Sequence, residues 1–183
     1  MKKRTLALIL LSLILSIGTL KAQSSVNSTF TITINGLSLI RIYPLSTTIA
    51  MTLLTNNAGE SMLPKTDATT YLQLTSIAPL NQTRRITAII SSGTVPGGTL
   101  LKVTPAACTN VGGGSFGTPS SQLTLNKTSS QTLINGIRSG FTGSGITNGF
   151  KLTYTFMADP ANYNKLYRTS VNTIIVTYTM VVN

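Results

Sequence analysis

The chain has 183 residues, with 14 Lys and Arg against three Asp and Glu, one Cys, and neither His nor Trp. The absence of histidine excludes Ser-His-Asp and Cys-His catalysis together with the commonest transition-metal ligand, and a single cysteine cannot form an intrachain disulfide, so stability has to come from a packed core. A glycosidase-type carboxylate pair would have only Glu60, Asp67 and Asp159 to draw on, and the composition points away from an enzyme.

At the N-terminus Lys2, Lys3 and Arg4 precede the apolar run LALILLSLILSI at residues 6–17. That run has the length of a signal-peptide core and is short for a membrane span. Residues 1–22 are therefore expected to be a signal peptide, cut after Ala22, with Ser16-Ile17-Gly18 as a second candidate cut. No Cys follows the run to carry a lipid, and no later segment holds the roughly 20 apolar residues of a spanning helix, so no membrane span is expected after cleavage. The implied location is secreted: periplasm, outer-membrane surface or extracellular medium. Residues 23–183 then form one domain, long enough for a single core. Its ten cations against three acids leave a net charge of +7, dispersed from Arg41 to Arg168 without a dense run. Nucleic acid, which calls for clustered basic residues with aromatics between them, is not an expected partner.

The expected mature chain opens on the stretch SVNSTFTITI, where Val26, Phe30, Ile32 and Ile34 alternate with Asn27, Thr29, Thr31 and Thr33. A period of two is the mark of a strand with one apolar face. Asn35-Gly36 follows, the pair favoured in a type I′ turn, so a hairpin over residues 29–42 is predicted, ended by Pro44. Further strands are predicted at 48–53, 70–75, 84–91, 99–104, 121–125, 131–137, 150–156 and 173–182, separated by segments rich in Gly, Pro, Asn and Ser. One helical turn is expected in ADPANYNKLY, where Asp159 can cap and Pro160 can occupy the first helical position. The pattern predicts an all-β chain, an immunoglobulin-like antiparallel β-sandwich of about eight to ten strands, with a barrel as the alternative closure. The terminal NTIIVTYTMVV, apolar at Ile174, Val176, Tyr178, Met180 and Val182, reads as a long closing strand.

Candidate chemistry is sparse. Glu60 and Asp67 lie close enough in sequence to share a weak calcium site, although two solvated loop acids are the simpler reading. GGGSFG and GSGITNG lack the P-loop pattern and read as flexible loops. Cys108 reads as a small residue tucked at a strand end, with an intermolecular bridge as the sharper alternative. No catalytic residue, cofactor or metal follows from these residues. Candidate binding contacts are Phe116 and Phe141 in the glycine-rich loops, and Tyr163 and Tyr167 in ANYNKLYR, although with no Trp beside them core and strand-edge tyrosines are the simpler reading.

The segments RRITAIISSGTVPGGTLLKV, QTLINGIRSGFTGSGITNGFKLTYTF and NTIIVTYTMVV together resemble a group of small exported β-sandwich proteins of Gram-negative bacteria, and the T-x-T-rich terminal strand is similar to that of pilin-like and spore-coat-U-like domains. The resemblance spans the mature chain and rests on strand and turn patterns. It implies assembly by donor-strand exchange, with Val26, Phe30, Ile32 and Ile34 as the assembly strand of a filament. The expected function is a non-enzymatic structural or adhesive surface protein, its partners other protein subunits, copies of itself among them, or surface glycan. The alternative is a monomeric glycan- or protein-binding module that uses the loops at 110–121 and 140–149.

Overall fold

The computed structural model describes residues 26–45, 48–108, 112–169 and 171–183. The expected signal peptide and its cleavage site lie outside them. The chain divides into Met1–Ile34 and Asn35–Asn183. In the first unit residues 26–34 carry no regular secondary structure and are exposed.

The second unit contains eleven strands among the described residues: β1 (Leu37–Tyr43), β2 (Lys65–Ile77), β3 (Arg84–Ser92), β4 (Thr99–Pro105), β5 (Gly113–Gly114), β6 (Thr118–Pro119), β7 (Leu123–Thr124), β8 (Gln131–Ile137), β9 (Gly140–Phe141), β10 (Phe150–Ala158) and β11 (Ile175–Val182). Seven form one antiparallel sheet in the order β5-β9-β2-β10-β4-β7, with β1 joined to β2, and four form a second in the order β11-β3-β8-β6. The architecture is the β-sandwich expected from the alternation. Both β1 and β9 pair with Thr75 of β2, and both β1 and β10 pair with Leu72, so β1 occupies one edge of β2 while β9 and β10 share the other.

Period-two patterning builds the core. Leu72 and Leu74 of β2, Ile86, Ala88 and Ile90 of β3, and Phe150, Leu152 and Tyr154 of β10 turn inward on alternate positions and join Val103, Leu125, Leu133, Ile134 and Ile137 in one buried cluster. Arg84 begins β3 on the same inward face and is 9 % exposed. Its Nη1 donates to the Leu37 carbonyl of β1 and, at 3.3 Å, to Ser76 Oγ of β2. A buried guanidinium needs its N–H groups satisfied, and these two acceptors belong to the opposite sheet, so Arg84 ties the start of β1 across the sandwich.

Two sequence expectations are corrected. Residues 29–34 do not pair with β1; β1 pairs instead with β2, from Leu37↔Ile77 to Tyr43↔Tyr71. A type I′ turn needs positive φ at both central residues, and neither Asn35 nor Gly36 has it, Asn81 being the non-glycine residue with positive φ among those described. Residues 48–53 form no strand, and Leu54 makes a single bridge with Leu63. The helical turn is a 3-10 helix at Pro160–Lys165, capped by Asp159 as expected, whose side chain accepts from the Ala161 amide at 3.0 Å.

Gly149 makes the entry into β10 possible. Its φ is +101°, and a Cβ there would stand 2.2 Å from the Leu72 carbonyl oxygen, a backbone atom that cannot swing aside. Gly149→Ala is expected to lose about 2–4 kcal/mol from combined backbone strain and overpacking. Gly136→Ala, where φ is +74° but the space around the added atom is empty, should lose only the strain. Denaturant midpoints at unchanged m-value separate the two; equal losses would contradict the steric account.

Candidate functional site

The three carboxylates are held in separate local structures. Asp67, near the start of β2, accepts from the Thr69 amide at 3.1 Å and the Thr69 hydroxyl at 2.8 Å. Asp159 accepts from Asn162 Nδ2 at 2.7 Å as well as from the Ala161 amide, and these hydrogen bonds, that from Asn162 foremost, hold its carboxyl below the ordinary range. Glu60 is exposed in the loop closed by the Leu54–Leu63 bridge. Among the described residues no group of three or more potential metal-ligating side chains comes together. Cys108 is partly buried and packs against the core.

The predicted contact aromatics part company in space. Phe116 is partly buried and packs against the core, and the next residue, Gly117 at φ +82°, lets the backbone lie so close to β8 that a Cβ there would be 2.4 Å from the Asn135 carbonyl oxygen. Tyr163 sits in the 3-10 turn, 42 % exposed, and borders a cleft with Met62, Pro64 and Met157. Tyr167 is exposed in the segment after that turn, beside Gly97. Phe141 stands on β9, half exposed, and lines a groove on the outer face of the seven-stranded sheet. Val26, Phe30, Ile32 and Ile34 are 89 %, 81 %, 83 % and 76 % exposed, far more than apolar side chains that close a core.

The surface most suited to association is one side of the sandwich, where β1 of one sheet approaches β11 of the other. β1 pairs only with β2 and β11 only with β3 among the described residues, so each presents a free edge. The Asn183 amide donates to the Thr83 carbonyl at 3.0 Å, continuing the unbroken β11–β3 register from Val176↔Ile90 to Val182↔Arg84. By the alternation of an antiparallel ladder, the amides of Tyr178, Met180 and Val182 point the other way, to the open edge. Ile40 and Ile42 of β1, and Val176, Tyr178 and Met180 of β11, face the core yet stay only partly buried. β11 carries no charge and no proline in its sequence IVTYTMVV, the devices that ordinarily blunt an edge.

Tyr178 bridges the sheets at this side. Its hydroxyl lies 2.5 Å from that of Tyr154 on β10, which is 8 % exposed. Burial pushes the Tyr178 phenol up, reinforced by the neighbouring Tyr154, and burial likewise raises Tyr154.

Sequence reasoning missed Arg41 and Gln73, which the β1–β2 register sets opposite each other. The available signal was a cation at an outward position of LSLIRIY and an amide at an outward position of YLQLT; nothing local joins two residues 32 positions apart. No family model, no curated protein and no solved structure matches the chain.

Proposed function

We propose that the protein is a non-enzymatic, exported structural or adhesive surface component whose copies join by strand addition, residues 26–34 of one copy pairing with the free edge of β11 in the next. The observation that carries this reading is the coexistence of two complementary, unsatisfied features: an eight-residue uncharged edge strand, and an uncharged alternating segment whose four large apolar side chains are 76–89 % exposed. An extended segment added to a sheet edge gains main-chain hydrogen bonds along its length, and its alternate side chains fill the gap over the core. Here the partly buried Val176, Tyr178 and Met180 are the core-facing side chains beside that edge. Burial of each Val, Ile or Phe of the segment is worth about 1.5–3 kcal/mol.

The test is a denaturing gel of the mature protein with and without boiling. Strand-paired polymers dissociate over a high unfolding barrier, so unboiled samples should run as a ladder that boiling collapses to one band. Deletion of residues 26–34 should abolish the ladder. So should Thr177→Lys with Thr179→Lys, which places charges on exposed positions of the edge strand. A single monomer band with and without boiling would refute the proposal.

A further inference from the structure

The groove on the outer face of the seven-stranded sheet, about 530 Å³, falls in the size range of small-molecule sites. Its floor is a register row across four strands: Leu39 of β1 opposite Thr75 of β2, Thr75 opposite Phe141 of β9, and Phe141 opposite Gly113 of β5. One step along the same face, Arg41 stands opposite Gln73. These residues point outward because the intervening Ile40 and Ile42 pack on the core.

Each wall is built. The Phe141 ring rests over Gly113, where a Cβ would be 3.1 Å from Cε1, so one side of the ring is seated on backbone while the residue stays 52 % exposed. Leu39, 57 % exposed, forms the apolar wall across from it. Gln73 is 4 % exposed although it lies on an outward face, because the loop after β9 closes over it: Gln73 Nε2 donates to the Gly145 carbonyl at 2.6 Å. With its amide so fixed, Gln73 Oε1 accepts from Arg41 Nε at 3.0 Å and from Arg41 Nη2. The guanidinium is thereby oriented, and among the described residues its remaining N–H groups meet no acceptor and no carboxylate pairs with it. Among the described residues Arg41 is the one charged residue lining the groove, and Thr75 and Ser144 line it with neutral hydroxyls.

We propose that this groove binds an acidic sugar unit of a glycan, the carboxylate received by Arg41 and the sugar ring held between Phe141 and Leu39. An oriented guanidinium takes a carboxylate through two parallel charge-assisted hydrogen bonds. The electron-rich face of a phenyl ring favours the positively polarised C–H face of a pyranose. The row carrying Arg41 lies about 7 Å along the strands from the row carrying Phe141, a spacing that a pyranose and its exocyclic carboxylate span. A peptide is less suited, because the floor is a sheet face whose main-chain groups point along the sheet, and a strand added at the free edge of β1 would extend the sheet beside the groove without filling it. The site is separate from the β11 edge and stands whether or not copies of the chain join.

The experiment is calorimetric titration of the mature protein with tetragalacturonate, using the neutral tetragalactoside and a peptide with a free C-terminal carboxylate as comparators. Saturable binding of the acidic sugar is expected, at least about tenfold tighter than either comparator, with Arg41→Gln and Phe141→Ala each weakening it about tenfold or more. Lys127→Gln removes an exposed cation away from the groove and should leave affinity unchanged. The inference is overturned by absence of saturable binding, by equal affinity for the neutral sugar or the peptide, or by an equal loss in Lys127→Gln, which would mark diffuse attraction to a basic chain. Circular dichroism on each variant confirms that the sandwich is retained.

Discussion

Phe150→Ala is expected to lower folding stability by about 3–5 kcal/mol, the range for truncating a fully buried aromatic. Phe150 is 0 % exposed and is the largest of the fully buried side chains among the described residues. It opens β10 opposite Leu72 of β2, so the cavity would form at the centre of the seven-stranded sheet's inner face, between strands whose hydrogen bonding resists collapse. For a domain of this size the loss corresponds to a fall in Tm on the order of 10 °C. Phe141→Ala removes the same atoms from a residue that is 52 % exposed and should cost less than about 1.5 kcal/mol. Thermal melts of the two variants side by side provide the check, and a comparable loss at both positions would contradict the assignment of Phe150 to the core and Phe141 to the surface.

The folded protein is expected to lose stability steeply above about pH 10, because Tyr154 and Tyr178 ionise on unfolding before they can ionise in place. The sign follows from proton binding. The ordinary phenol value is 10.0, and burial raises both groups above it in the folded chain. Above that pH the unfolded chain holds fewer protons than the folded one, so the contribution is fully present below pH 10.0 and is lost as pH climbs toward the folded values. The slope is about 1.4 kcal/mol per pH unit for each tyrosine that titrates only after unfolding. Denaturant unfolding at about pH 8 and about pH 11 measures it. The double variant Tyr154→Phe with Tyr178→Phe removes both hydroxyls together, leaves no buried group unpaired, and should flatten the decline. Parallel declines in wild type and double variant would mean that the pair is not the source.

The groove was legible only in fragments. Phe141 stood out as an aromatic in a glycine-rich loop, yet Phe116 and Phe150 stand in similar surroundings in the sequence, and one packs inward from its loop while the other is a central core residue. What separates the three is how distant parts of the chain approach one another: the Phe141 ring lies over the backbone of Gly113, whereas backbone meets backbone at Gly117 and Gly149. Arg41 and Gln73 needed the β1–β2 register before they could be seen as a pair. The exposed edge of β11 was equally hidden: NTIIVTYTMVV announced a strand, while its having a single neighbour among the described residues is a property of the finished sheet.

By itself the sequence determined the class of the protein: alternation at a period of two, with turn residues between, predicted eight of the observed strands, β1 among them though with another partner, together with the Asp159-capped turn. Alternation is local and is settled by which side chains can share a face. Tertiary structure decided everything that depends on partners. It drew β1 away from the preceding segment, because β2 offered seven paired residues and an inner face for Ile40 and Ile42 where a two-strand hairpin offers no core. It withheld a strand from residues 48–53, and it left Val26, Phe30, Ile32 and Ile34 in water. Pairing is a competition among distant segments for the same edges, and its outcome is set by the apolar surface each candidate partner can cover.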